Sequence, residues 1–495
     1  MIDKVSNFVL YGMNANMSNK EFLEESIMRW KGSPERIMQI KGFLYYDNEH
    51  DILSRKRTMI GEDGKLTVVE NLPNNQIIDN QYAKLVNQKT NYLFGQPFAF
   101  ETDNDQYTEL LKDIFDNKFM RLIKKTGKHA YNGGVAWLYP YYDDEGKFCF
   151  RLFPSYEILP FWADSEHEKL SGAIRLYLVA GYDGNKPVII EKVEVFDLNG
   201  IHCYILDGNK LIPDLTAKEQ DCAYVMNQGQ ALNWSRIPLI PLKANETETP
   251  LLKKVKSLQD GINVMLSDFE NNMQEDARNT ILVLKNYDGT NLGEFRRNLA
   301  TYGAVKVRND DSAKGGVETL EITVNADNYK IIIEIFKKAM IENGMGYDAK
   351  DDRLSGNPNQ MNIQSMYSDI DIDANDTETE YQAAFDEILW FINAHLANTG
   401  KGNYENEKVT IIFNRDILIN ESEAIDNCSK SMDILSLETI IGQHPWVDDP
   451  QKELERLEEQ KKKEQEEFEK QYNPFQTELI PDDDKVGDLN GKEKP

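Results

Sequence analysis

Apolar residues recur at steps of three and four between residues 250 and 276: Leu251, Leu252, Val255, Leu258, Ile262, Met265, Leu266, Phe269 and Met273. One stripe of that period predicts one long helix with one buried face. The same period predicts helices over 18–30, 74–95 and 105–131. Ser18 or Asn19 is placed to cap the first, with Glu21 supplying early negative charge, and Gly95-Gln96-Pro97 closes the second. From 134 to 245 the period shortens. VAWLYPYY, KFCFRLF, AIRLYLVA, VIIEKVEVFDL and IHCYILDG are rich in aromatic and β-branched residues, and Asp144-Glu145-Gly146, Asp183-Gly184 and Asp207-Gly208 separate them. This is the signature of an antiparallel β region, with Ile237–Leu242 as its last extended segment.

The second half begins with an α/β segment over 277–324, in which ILVLK, AVKVR and residues 318–323 read as strands around a helix at 291–300. Tyr329, Ile332, Ile333, Phe336, Ala339 and Met340 then mark a helix over 327–342. The polar stretch 344–360 follows. A loop longer than about 12–15 residues is usually functional or disordered. A long helix is expected over 361–397, a strand over 409–413, and shorter helices over 421–433 and 436–443. Residues 449–471 form a charged, solvated helix, and 472–495 an acidic tail of disordered composition.

With 495 residues the chain exceeds the roughly 250–300 at which single cores stop growing, so several modules are expected. No apolar run reaches the roughly 18–20 residues that cross a bilayer, so no membrane partner is expected. MIDKVSNFVLYGMN carries too short an apolar stretch for a signal peptide, and the expected location during synthesis is the cytoplasm. Cys149, Cys203, Cys222 and Cys428 are far apart, and with six scattered histidines they give neither a zinc nor a disulfide framework. The formal net charge of −28 argues against a protein that grips nucleic acid, which needs lysine and arginine to displace counterions. A conduit that must release what it passes is compatible with that charge.

No GxxxxGK[ST], HExxH, GxSxG or kinase signature occurs, so no catalytic residues, metal or cofactor are expected. One stretch imitates a metal site. Asp369, Asp371, Asp373 and Glu380 fall at positions one, three, five and twelve of a calcium loop. Ala374 stands where the turn needs glycine, and an apolar stripe runs through: Ile363, Met366, Tyr367, Ile370, Ala374, Thr377, Tyr381, Ala384, Phe385, Ile388 and Ile392. The acidic face of a helix is the expected reading.

Several segments, taken in order, resemble the portal or head–tail connector proteins of tailed bacteriophages, in the family common in long-tailed phages of Gram-positive hosts. KLVNQKTNYLFGQPFAFE (84–101) resembles that family's N-terminal helix and its "GYLFGKP"-type turn. FRLFPSYEILPFWAD (150–164) resembles its strand ending in a pair of spaced prolines, here Pro154 and Pro160. IPLIPLKANE (237–246) followed by SLQDGINVMLSDFENNMQED (257–276) resembles the approach to its first stem helix. VTIIFNRDILINESEAIDN (409–427) and LSLETIIGQHPWVDDPQKELERLEEQ (435–460) resemble its C-terminal strand and crown. The chain departs from the family in reading Asp416-Ile417-Leu418-Ile419 where proline is common, and LSGNPNQM in place of a glycine-rich "GGNxSG" loop.

The resemblance implies an α+β portal architecture. Residues 1–249 would form the N-terminal part of the wing, 250–276 the first stem helix, 277–326 the clip and 327–343 the second stem helix. Residues 344–360 would be the tunnel loop, 361–420 the wing's long helix and strand, and 421–471 the helical crown. It further implies a non-enzymatic subunit of a closed ring, usually of twelve, at one capsid vertex of the virion. Double-stranded DNA would pass through it, and its partners would be the terminase large subunit, head-completion or adaptor proteins, and the major capsid and scaffolding proteins. The DNA-facing residues implied are Lys350 and Arg353, with Asn357, Asn359 and Gln360 as neutral donors. The competing readings are a capsid-associated or scaffold-type protein without a channel, and a metal-dependent nuclease using the acidic clusters.

Overall fold

Two side-chain caps start the first two helices. Asn19 Oδ1 accepts from the Glu21 and Phe22 backbone N–H groups at 3.1 and 3.3 Å and opens α1 (Lys20–Lys31). Ser33 Oγ accepts from the Arg36 N–H at 3.2 Å, and Pro34 takes the first position of α2 (Pro34–Tyr46). Periodicity alone misses α2; the Ser33-Pro34-Glu35 start is its clearest signal. The computed structural model describes residues 19–60, 64–70, 72–217, 221–227, 230–276, 281–285, 291, 293, 307–308, 316–320, 326–348, 359–415, 420–447 and 450–472.

β1 (Thr58–Ile60) and β2 (Leu66–Val68) form an antiparallel pair. The helix expected over 74–95 begins later, as α3 (Gln81–Phe94), capped by Asn80 on the Ala83 N–H at 2.8 Å. Residues 74–80 are not helical, because side chains of a distant helix take up their backbone donors. The single helix expected over 105–131 is two. After β3 (Ala99–Glu101), α4 (Asp105–Ile114) stops at Phe115, and Asp116 caps a new start, α5 (Asn117–Gly133), through the Phe119 N–H at 2.9 Å.

The predicted β region holds β4 (Val135–Tyr142), β5 (Phe148–Pro154), β6 (Ile158–Trp162), β7 (Leu170–Asp183), β8 (Lys186–Asp197), β9 (Gly200–Asp207) and β10 (Lys210–Pro213). The shorter β11 (Asp221–Cys222), β12 (Val225–Asn227), β13 (Gln230–Leu232) and β14 (Ile240–Lys243) complete it. One antiparallel sheet runs β10-β9-β8-β7-β6, with β11 also on β9; a second runs β14-β4-β5, with Trp137 opposite Phe153. α1 lays Leu23 and Ile27 on the first sheet, against Phe161, Ile174, Val193 and Val195.

α6 (Leu251–Asp276) follows as the apolar stripe predicts. β15 (Ile281–Lys285) pairs with β16 (Gly316–Leu320) in antiparallel register. The expected helix at 291–300 and strand at 304–308 lie almost wholly outside the described residues. α7 (Ala326–Asn343) and the 39-residue α8 (Gln360–Asn398) agree closely with expectation, and β17 (Thr410–Ile412) pairs with β3. All eleven residues of the predicted α8 stripe are buried.

The chain divides into two compact units. The first comprises 1–349 and 366–417. Its aromatic core brings Phe98 within 5.5 Å of Phe115 and 5.0 Å of Phe385, and Phe94 within 4.6 Å of Tyr381. The second comprises 350–365 and 418–495, with α9 (Glu421–Lys430), α10 (Leu437–Gly442) and α11 (Pro450–Tyr472). Asn420 and Ser436 cap α9 and α10. The side chains described on α11 are mostly exposed, as its few apolar positions require.

Candidate ring-forming helices and DNA-facing segment

α6 and α7 pack together, and Gly261 of α6 leaves the space that the Phe336 ring of α7 fills. A Cβ on Gly261 would lie 2.8 Å from Phe336 Cε2. Further along, the rings of Phe269 and Tyr329 stand 5.2 Å apart, and Asn272 Nδ2 donates to Tyr329 Oη at 3.0 Å. α7 does not spend all its isoleucines on this contact. Ile331, Ile332 and Ile335 are 53%, 36% and 57% exposed, an apolar row on a helix.

Gln259, Asn263, Ser267 and Asn271 of α6 are also buried, in a row four residues apart. They accept hydrogen bonds from the non-helical segment that precedes and enters α3. Asn271 Oδ1 accepts from the Asn75 N–H at 2.7 Å, Ser267 Oγ from Ile77 at 2.9 Å, Asn263 Oδ1 from Asp79 at 3.1 Å and Gln259 Oε1 from Tyr82 at 2.9 Å. Gln259 Nε2 donates back to the Asp79 carbonyl at 2.8 Å. Four residues of helix rise ~6 Å, and two residues of extended chain ~6.6 Å, so Asn271, Ser267 and Asn263 stay in step with Asn75, Ile77 and Asp79, and Gln259 meets Tyr82 three residues on. This is why 74–80 can forgo a helix: three of its backbone donors, on Asn75, Ile77 and Asp79, are satisfied from the side. The apolar stripe of α6 was legible; the uncharged row Gln-x3-Asn-x3-Ser-x3-Asn is the signal that finds the second face.

The ladder continues into a polar cluster. Asn263 Nδ2 donates to His50 Nδ1 at 2.8 Å, so the proton sits on Nε2, which donates to the Tyr45 carbonyl at 2.9 Å. Burial lowers the His50 pKa below the ordinary range and keeps the ring neutral. Tyr45 Oη donates to Asp260 at 2.6 Å. Lys256 bridges Asp260 and Asp51 at 2.6 and 2.7 Å; against the opposing effect of burial, it and Lys41 bring Asp51 down to about 2.

The calcium-like stretch is helix throughout, and three of its six carboxylates, Asp371, Asp373 and Glu378, pair with cations. Asp373 pairs with the fully buried Lys89 at 2.6 Å. Asp371 accepts from Tyr92 Oη at 2.7 Å and pairs with Arg415, which also reaches Glu378 at 2.7 Å. The expected acidic helix face is therefore partly an internal ion-pair face. Thr377 Oγ1 donates to the Ala244 carbonyl at 2.9 Å within the same core. Among the described residues no group of three or more His, Cys, Asp or Glu side chains is arranged to hold a metal ion.

Of the residues expected to face DNA, Lys350, Arg353 and Asn357 lie outside the described residues. Asn359 caps α8, its Oδ1 accepting from the Asn362 N–H at 2.8 Å. Gln360, assigned by sequence to the end of the loop, is the first residue of the helix. Its N–H donates to Glu423 at 2.9 Å, and its Oε1 accepts from the Asn420 N–H at 3.0 Å. The structure thus gives both side chains partners at a helix start.

Comparison with known proteins matches residues 32–467 to the family described as "Phage portal protein, SPP1 Gp6-like". The chain belongs to this portal protein family. The portal protein of Bacillus phage SPP1 is 30% identical over 460 residues, covering 92% of this chain and 88% of that one. The portal protein of Clostridium phage phiCD119 is 27% identical over 464 residues, covering 89% and 96%. Two solved chains are also similar, one from the virion of a native gene transfer agent particle and one from the neck of such a particle. They are 11% and 10% identical and cover 72% of the portal chain, and 87% and 88% of their own, with TM-scores of 0.38 and 0.37. The assignment rests on the sequence family. Portal proteins are structural, non-enzymatic components of the virion, and this mixed helix-and-sheet chain is one of them.

Proposed function

We propose that the chain is one subunit of a closed ring, of about twelve copies, at a single capsid vertex, and that double-stranded DNA passes along its axis. The observation that carries this is the family match across 32–467. Closed rings are built from heterologous contacts that close by rotation. The uncovered isoleucine row of α7 is an apolar surface suited to such a contact. In this reading 1–249 and 361–420 form the wing, α6 and α7 the stem, 277–326 the clip, 344–360 the tunnel loop and 421–471 the crown. The terminase large subunit would dock during packaging, and head-completion or adaptor proteins afterwards, with major capsid and scaffolding proteins around the ring. Assembly would take place in the host cytoplasm.

Lys350 and Arg353 are the proposed phosphate contacts. Few cations per copy suit a channel, since each phosphate contact adds close to one unit to the salt dependence of binding. Negative-stain images of the purified chain should show rings with a central hole; compact particles without a hole would refute the channel. K350A/R353A should leave rings intact and alter DNA packaging. Loss of the rings would make these residues structural instead.

A further inference from the structure

α5 is basic in a chain whose formal net charge is −28. Lys118, Arg121, Lys124, Lys125 and Lys128 fall within one arc of about 120° of its circumference, at 100° per residue. Lys118, Arg121, Lys124 and Lys125 form no ion pair among the described residues, and Lys128 lies 5.5 Å from the Tyr46 ring centre. Other cations of the first unit, Lys89, Lys256 and Arg415 among them, are paired with carboxylates. This helix face is an unneutralised positive stripe.

Beside the stripe lies a cavity of about 220 Å³. Its floor is apolar, made by the buried Phe94, Phe98, Ile123 and Phe413. Gly95, Gln96, Pro97, Met120, Arg121 and Lys124 complete its lining, and among the described residues no carboxylate lines it. An apolar cavity of ~150 Å³ holds a benzene ring, so this one takes a phenyl or indole side chain.

We infer that the Phe94–Phe98 turn and the basic face of α5 form a docking site for an acidic polypeptide segment of a partner protein, anchored by one aromatic side chain in the cavity. Charge complementarity brings the segment in, and the buried ring supplies the affinity that surface ion pairs lack. A DNA duplex satisfies the cations but offers no ring to the cavity. Single-stranded nucleic acid offers bases, yet such proteins stack them on open aromatic platforms. Here Phe94, Phe98 and Phe413 are only 5%, 6% and 7% exposed.

The test is fluorescence anisotropy with the full chain and a labelled dodecapeptide of aspartate, glutamate and serine around a central phenylalanine. Its controls are the same peptide with alanine for phenylalanine, the same with lysine for the acids, and a short single-stranded oligonucleotide. Saturable binding should weaken with salt, and fall about tenfold or more in either peptide control and in R121E/K124E. That variant changes surface cations, and its circular dichroism should be unchanged. Equal binding of the alanine peptide, no saturable binding, or displacement by the oligonucleotide would overturn the inference. A change of oligomeric state in R121E/K124E would overturn it in favour of a contact between copies.

Discussion

Lys89 and Asp373 meet at 2.6 Å, with the lysine side chain wholly removed from solvent. Burial lowers the Lys89 pKa to about 8, against the attraction of Asp373. Unfolded, the same amine keeps its proton to about pH 10.4. Between those values the unfolded chain binds more protons, so this group makes the fold more stable as pH rises across the window. Denaturant melts of the wild type and K89M at pH 7 and pH 9.5 should show the difference moving in the wild type's favour at the higher pH. D373A, which leaves a buried cation alone, should lose about 3–5 kcal/mol at pH 7. No pH dependence of the difference would mean that Lys89 titrates as it does in water.

Asn263 serves three neighbours at once: the Asp79 N–H, His50 Nδ1 and Gln259 Nε2. N263A leaves buried polar groups unpaired and should cost about 3 kcal/mol in a thermal or denaturant melt. N263D keeps an acceptor for Asp79 but removes the donor to His50. It should raise the His50 pKa, read from the imidazole proton shift by NMR. An unmoved histidine would show that the contact does not fix its tautomer.

I331D/I335D places two charges on exposed positions of α7. The isolated subunit should change in stability by about 0.5 kcal/mol or less. Native mass spectrometry should show the ring replaced by single subunits. Intact rings would place the contact between copies on another surface.

Asp371 lies within a continuous helix and is engaged there by Tyr92 and Arg415. Millimolar calcium should therefore leave the melting temperature unchanged, whereas D371A should cost about 1–2 kcal/mol. A calcium-dependent rise of several degrees would restore the metal-loop reading.

Elements whose signal is local were legible. α6, α7 and α8 followed from their stripes, and the strands of 134–245 from β-branched runs and turn dipeptides. The start of α3 was not, because residues 74–80 have helical periodicity and lose their helix to a partner almost two hundred positions away. The break at Phe115-Asp116 was missed because the apolar period continues across it, and α2 because only the Ser33-Pro34 cap announces it. At the expected DNA-facing segment, sequence gave residue types that suit phosphate contact. It could not show that Asn359 and Gln360 are engaged by α8 and by Asn420 and Glu423.

The row that joins α6 to residues 75–82 has a mechanical consequence. Backbone pairing between strands is indifferent to side-chain identity, whereas this joint has one line of acceptors. Turning α6 about its axis by one residue, about 100°, would unseat them all together. Sliding it by four residues, ~6 Å, brings three of the four opposite donors again. The joint is therefore rigid in torsion and indexed in translation, the behaviour of a keyed shaft.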